Sequence, residues 1–173
     1  MRSLVSLALI LSFSPLLALA ASQNTNADSN LSISIAEPLQ KKLAASYGSA
    51  EAQVLQQAIN DSVARAVQRA GLAPAALPRT EVLLSDARPS HPTHHQQGAN
   101  PSIDPVRSIS LGGATLSAVL RGADGKELER VSADHYANSL QEASASLDTW
   151  SDARLSIDRL ADQLVKAYRG HAH

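Results

Sequence analysis

From Leu31 the chain alternates. Leu31, Ile33 and Ile35 are apolar, with serines between them. A period of two with β-branched residues is the pattern of a half-buried strand, and Pro38 is placed to stop it because proline lacks the ladder's donor. The period then lengthens. Val54, Leu55, Ile59, Val63, Ala66, Val67 and Ala70 recur at helical spacing, with Gln56, Gln57, Asn60, Asp61 and Arg65 largely opposite. This predicts an amphipathic helix over 48–70. Glu51 near its start and Arg69 near its end suit the helix dipole, and Gly71 is a natural left-handed cap. A second strand is expected over 80–87, through Val82 and Leu84.

Pro89, Pro92, Pro101 and Pro105 exclude regular pairing over 88–106, which reads as a long proline-stiffened loop. Strand character returns near Arg107. Ile109 and Leu111 are odd-numbered, whereas Ala114, Leu116, Ala118 and Leu120 are even-numbered. One strand keeps both sets on one face only with an inserted residue, so a bulge is expected at Gly112-Gly113. Asp124-Gly125 marks a hairpin turn. The return strand ELERVSADHY carries Glu127, Glu129, Arg130 and Asp134, which suit a wetted face or a sheet edge. A connector over 137–148 has room for one helical turn. Thr149-Trp150-Ser151-Asp152 then fits a capping box. Trp150, Ala153, Ile157, Leu160, Ala161, Leu164, Val165 and Tyr168 form the stripe of a last helix that Gly170 should end. The fold class expected is α+β. It is a two-layer sandwich: a mostly antiparallel sheet of about four strands with two main helices packed on one face.

The chain's start bears on its destination. Arg2, an apolar run from Leu4 to Leu19 and Ala18-Leu19-Ala20 make the three-part plan of a secretory signal peptide over 1–20. Pro15 and the short run argue against a spanning helix. A polar tether over 21–30, a single domain over 31–170 and a loose tail over 171–173 complete the expected organisation. The mature protein is expected to be periplasmic or secreted. With no cysteine, it has no disulfide, no thiol nucleophile and no lipidated terminus. A formal charge of −1 gives no electrostatic footprint for nucleic acid or an anionic membrane.

Three features together look familiar: the signal segment followed by LSISIAEP, the stretch RPSHPTHHQQGANPSIDPVRSISLGGATLSAVLRGADGKEL, and the amphipathic C-terminal helix. They resemble uncharacterised exported bacterial envelope proteins of the small lipoprotein-like α+β type. The resemblance spans 31–169. It implies a proline-rich loop before a Gly-Gly-Ala strand, and a role as an accessory of envelope transport or assembly. It carries no functional residues. The missing cysteine departs from the lipoprotein version and argues against permanent membrane attachment.

Candidate chemistry is sparse. His91, His94 and His95 could ligate a metal, with Asp86 and Asp104 to complete the shell. Against this, His94 and His95 are adjacent and would point apart in extended backbone. His171 and His173 are weaker candidates. A hydrolase would need a base such as His135 beside Asp134, but serines are too many to choose among and no G-x-S-x-G is present. Gly112-Gly113 lacks the phosphate-loop pattern. Asn30-Leu31-Ser32 and Asn60-Asp61-Ser62 match glycosylation acceptors, which are discounted in an exported protein of bacterial type. No catalytic residue and no cofactor is expected. The leading expectation is an exported accessory protein that acts by contact with an envelope protein partner. Its contact surface is the loop carrying Arg88, His91, His94, His95 and Asp104.

Overall fold

Four strands and two long helices order the chain in a computed structural model that describes residues 30–143 and 146–171. Strands β1 (Leu31–Ile35), β2 (Arg79–Arg88), β3 (Gly113–Arg121) and β4 (Glu127–Tyr136) form one sheet in the order β1-β2-β3-β4. The β1–β2 pair is parallel, and the β2–β3 and β3–β4 pairs are antiparallel. A parallel pair needs a long crossover. Here it comprises α1 (Glu37–Lys42), a π-helical turn (Leu43–Tyr47), α2 (Ala50–Arg69) and a 3₁₀ turn (Pro74–Ala76). Beyond β2 lie α3 (His94–Ala99), then α4 (Leu140–Ala143) and α5 (Ser151–His171). The α+β two-layer expectation is met.

The inner sheet face presents Val82, Leu84, Ala87, Ala114, Leu116, Ala118, Leu120 and Ala133, all buried. From α2 come Leu55, Ile59, Val63 and Val67; from α5 come Ile157, Leu160, Ala161 and Leu164. Each large buried aliphatic side chain contributes about 1.5–3 kcal/mol of transfer free energy. Alanines on the sheet let α5 come close enough for the Ser156 hydroxyl to donate to the Ala114 carbonyl at 2.8 Å. At the other end of α5, the buried Tyr168 hydroxyl donates to Thr80 Oγ1 at 2.9 Å. The opposite sheet face is polar. Asp86 there receives Lys42 Nζ and the Tyr136 hydroxyl, each at 2.9 Å.

Several local expectations change. Pro38 sits in the first turn of α1, where its missing N–H costs nothing, so it opens a helix after the strand has ended. Val54 has the spacing of the buried stripe but is exposed. The expected bulge at Gly112-Gly113 is absent. Ile109 and Leu111 precede β3, so their phase is unconstrained by it, and the register shift lies in β2 between Leu84 and Asp86. A second shift accompanies Leu120 and Arg121 at the hairpin. The hairpin turn itself stands where Asp124-Gly125 put it, with Gly125 at φ 79°. At the start of α5 there is no Thr149–Asp152 box: Asp148 Oδ1 accepts the Trp150 N–H at 2.8 Å, and the Asp152 carboxylate is committed to Ser90. The helix continues through Gly170 to His171. His171, expected in a loose tail, places Nε2 3.1 Å from Glu129 Oε2. The signal segment and most of the tether lie outside the described residues. Asn30 is described, and its carbonyl accepts Thr80 N–H at 2.7 Å. Among the described residues no helix is long and apolar enough to cross a membrane.

Candidate functional site

The segment between β2 and β3 contains no strand; it is exposed over most of its length but buried at its N-terminal end. Ser90, His91 and Thr93 are buried, His91 to 3 % exposure. Thr93-x-x-Gln96 is a capping box: Thr93 Oγ1 accepts the Gln96 N–H at 3.3 Å, and Gln96 Oε1 accepts the Thr93 N–H at 3.0 Å. That box starts α3 in a stretch where the prolines had suggested only loop. The Thr93 hydroxyl also donates to the Tyr47 carbonyl at 2.6 Å, which ties α3 to the π-helical turn.

Ser90 is the second anchor. Its N–H donates to the Thr149 carbonyl at 2.7 Å, and its hydroxyl donates to Asp152 Oδ2 at 2.7 Å. Its own carbonyl accepts the Ser110 N–H at 2.9 Å, closing the segment on itself. Ser110 Oγ donates to the Pro89 carbonyl at 2.6 Å. Asp104 Oδ1 accepts the N–H groups of Val106 and Arg107 at 2.9 and 3.0 Å, so this carboxylate shapes its own turn. Below, Trp150 meets Tyr47 edge-on at 6.0 Å.

Beside these anchors lies an open cavity of about 370 Å³. Pro89, Ile103, Ile109 and Leu111 give it an apolar side; Arg88, His91, Gln96 and Ser108 give it a polar one. Arg88 stands with its guanidinium 5.2 Å from the Tyr136 ring and 3.6 Å from Asp86 Oδ2. Partial burial pushes the Asp86 carboxyl up, but hydrogen bonds from Lys42 and Tyr136 and the charges of Lys42 and Arg88 outweigh it. The carboxyl therefore lies below the ordinary aspartate range. Burial, joined by Asp86, raises the Tyr136 hydroxyl against the opposing Thr115 bond.

Comparison with family models, curated proteins and solved structures gave no match.

The structure separates the three loop histidines. His91 points inward, with Nε2 2.8 Å from the Ser146 carbonyl. His94 and His95 open α3 and are exposed. Among the described residues no group of three or more His, Cys, Asp or Glu side chains is placed to hold a metal ion. Asp86 turns to Lys42 and Tyr136, away from any imidazole shell. His135 Nε2 lies 3.3 Å from Glu142 Oε1. His173 lies outside the described residues. The Ser90 hydroxyl is buried and given to Asp152, while the neighbouring imidazole faces Ser146, so Ser90, His91 and Asp152 do not form a nucleophile–base relay. Sequence reasoning missed Tyr47, Ser90, Thr93 and Ser110 as the supports. The Thr93-x-x-Gln96 pattern was the available signal. Ile109 and Leu111 were assigned to a strand and instead line the cavity.

Proposed function

We propose that this chain is an exported accessory protein of the cell envelope that works by binding a protein partner through the 89–112 segment. The observation that carries this reading is the anchoring of that segment. Two buried side chains, Thr93 and Ser90, hold it to the π-helical turn and to the start of α5, while Val106 and Leu111 stay exposed on it. A loop of this length held on a rigid scaffold, with apolar groups displayed, is the usual form of a recognition surface. The signal-like segment at residues 1–20 supports export.

Photo-crosslinking tests the reading. A photoreactive side chain at Leu111 should give a discrete adduct in living cells, and one at Asp124 in the β3–β4 turn should not. Identical backgrounds from both positions would refute it.

A further inference from the structure

The sheet ends at β4, and among the described residues no further strand lies on its outer edge. The register shows which main-chain groups face that edge. Ala137 N–H donates to the Gly112 carbonyl at 2.9 Å, on the β3 side. Main-chain groups alternate sides along an antiparallel strand, and the β3–β4 pairing is unbroken from Gly113–Tyr136 to Leu120–Glu129. The N–H and C=O of Arg130, Ser132, Asp134 and Tyr136 therefore point away from β3. Among the described residues no main-chain group pairs with them. Arg130, Ser132 and Asp134 are exposed.

Charges on an edge strand usually keep other strands away. Those on β4 complement a copy of themselves. When two β4 strands lie antiparallel with Ser132 opposite Ser132, Arg130 faces Asp134 at both ends, Glu129 faces His135, and Val131 faces Ala133. Centring the pair on Val131 or Ala133 instead puts Arg130 and Asp134 opposite uncharged residues. Centring it on Arg130 or Asp134 puts like charges together. The Ser132 register also sets the outward amides of Arg130, Ser132 and Asp134 against one another. Main-chain hydrogen bonds then supply the attraction, and the ion pairs fix the register. Each pair joins two even-numbered or two odd-numbered residues, so both copies keep their helices on the same side of the joined sheet. We propose that β4 is an interface between two copies of this chain, paired antiparallel about a two-fold axis at Ser132. The β3–β4 turn lies outside the paired stretch, residues 129–135.

Sedimentation equilibrium of the purified protein tests the pairing. Wild type should pass from monomer to dimer as its concentration rises. Ser132→Pro removes an outward N–H and leaves the β3 ladder its donors, so it should keep its circular dichroism and stay monomeric. Charge reversal gives a readout that does not depend on proline. Arg130→Asp and Asp134→Arg each set like charges opposite one another twice, and each should dimerise about tenfold more weakly than wild type. Mixed together, the two variants meet with opposite charges at both positions. They should form a heterodimer about as tight as the wild-type dimer. A wild type that stays monomeric throughout, a folded Ser132→Pro or a single reversal that dimerises like wild type, or a mixture no tighter than either variant alone would overturn the proposal.

Discussion

The Trp150 indole donates Nε1–H to Glu51 Oε2 at 2.7 Å, joining the entrance of α5 to the first turn of α2. Tyr47 packs edge-on against the same indole, and its carbonyl receives the Thr93 hydroxyl. One buried ring thus connects both long helices to the segment that carries the cavity. Replacing Trp150 by Phe keeps an aromatic ring but strips Glu51 of its donor. The expected loss is about 1–3 kcal/mol, measured by urea unfolding followed by circular dichroism because Trp150 is the only tryptophan. Glu51→Gln should lose less, since its amide oxygen still accepts. An unchanged midpoint in Trp150→Phe would show that the bond holds nothing.

Ser90→Ala removes the hydroxyl that Asp152 accepts, in a place where both residues are buried. A carboxylate left without its donor should cost about 1–3 kcal/mol. Ser90→Ala combined with Asp152→Leu should recover part of that loss, because the stranded carboxylate is gone. A double variant no more stable than Ser90→Ala alone would contradict this account of the pair.

Two glycines in the same segment should respond oppositely to alanine. A Cβ at Gly112 would lie against Ser90 Oγ and 2.8 Å from the Ser90 nitrogen, so the anchor must shift. A Cβ at Gly98, in α3, would meet nothing within 4 Å. Gly112→Ala should therefore lower the melting temperature, while Gly98→Ala should hold or raise it, helped by alanine's helix propensity of about 1 kcal/mol over glycine. A reversed order would place the anchor elsewhere.

Asp86 gives a pH signature. Its folded carboxyl titrates below its ordinary value of about 3.9. Ionised Asp86 therefore stabilises the fold above that ordinary value, and the contribution fades as pH falls through the lower folded one. The stability gap between wild type and Asp86→Asn should be widest near neutrality and should narrow on acidification. A gap that stays constant down to full protonation would mean that Lys42 and Tyr136 do not favour the ionised form.

Long periodic stretches of this chain were legible because burial imposes one repeat over many residues: Leu55 to Val67 and Ala153 to Leu164 read as they pack. Short elements were not. The six residues of α3 bury none of their own side chains, so no apolar stripe announces them, and only the Thr93–Gln96 cap does. α1 was hidden by a proline that serves equally to end a strand or to begin a helix. Ile109 and Leu111 alternate as a strand would, yet they line a cavity together with Tyr47 and Pro89, far away in sequence. His91, His94 and His95 looked like one group because they are neighbours in the chain. The capping box turns the latter two outward, while the Ser146 carbonyl holds the first inward.

The central claim is that the 89–112 segment is a fixed scaffold, and amide hydrogen exchange tests it most directly. Ser90 and Ser110 N–H groups, given to the Thr149 and Ser90 carbonyls, should exchange only through global unfolding, at rates close to those of core amides in β3. Exchange of both at the rate of an unstructured peptide would contradict the account.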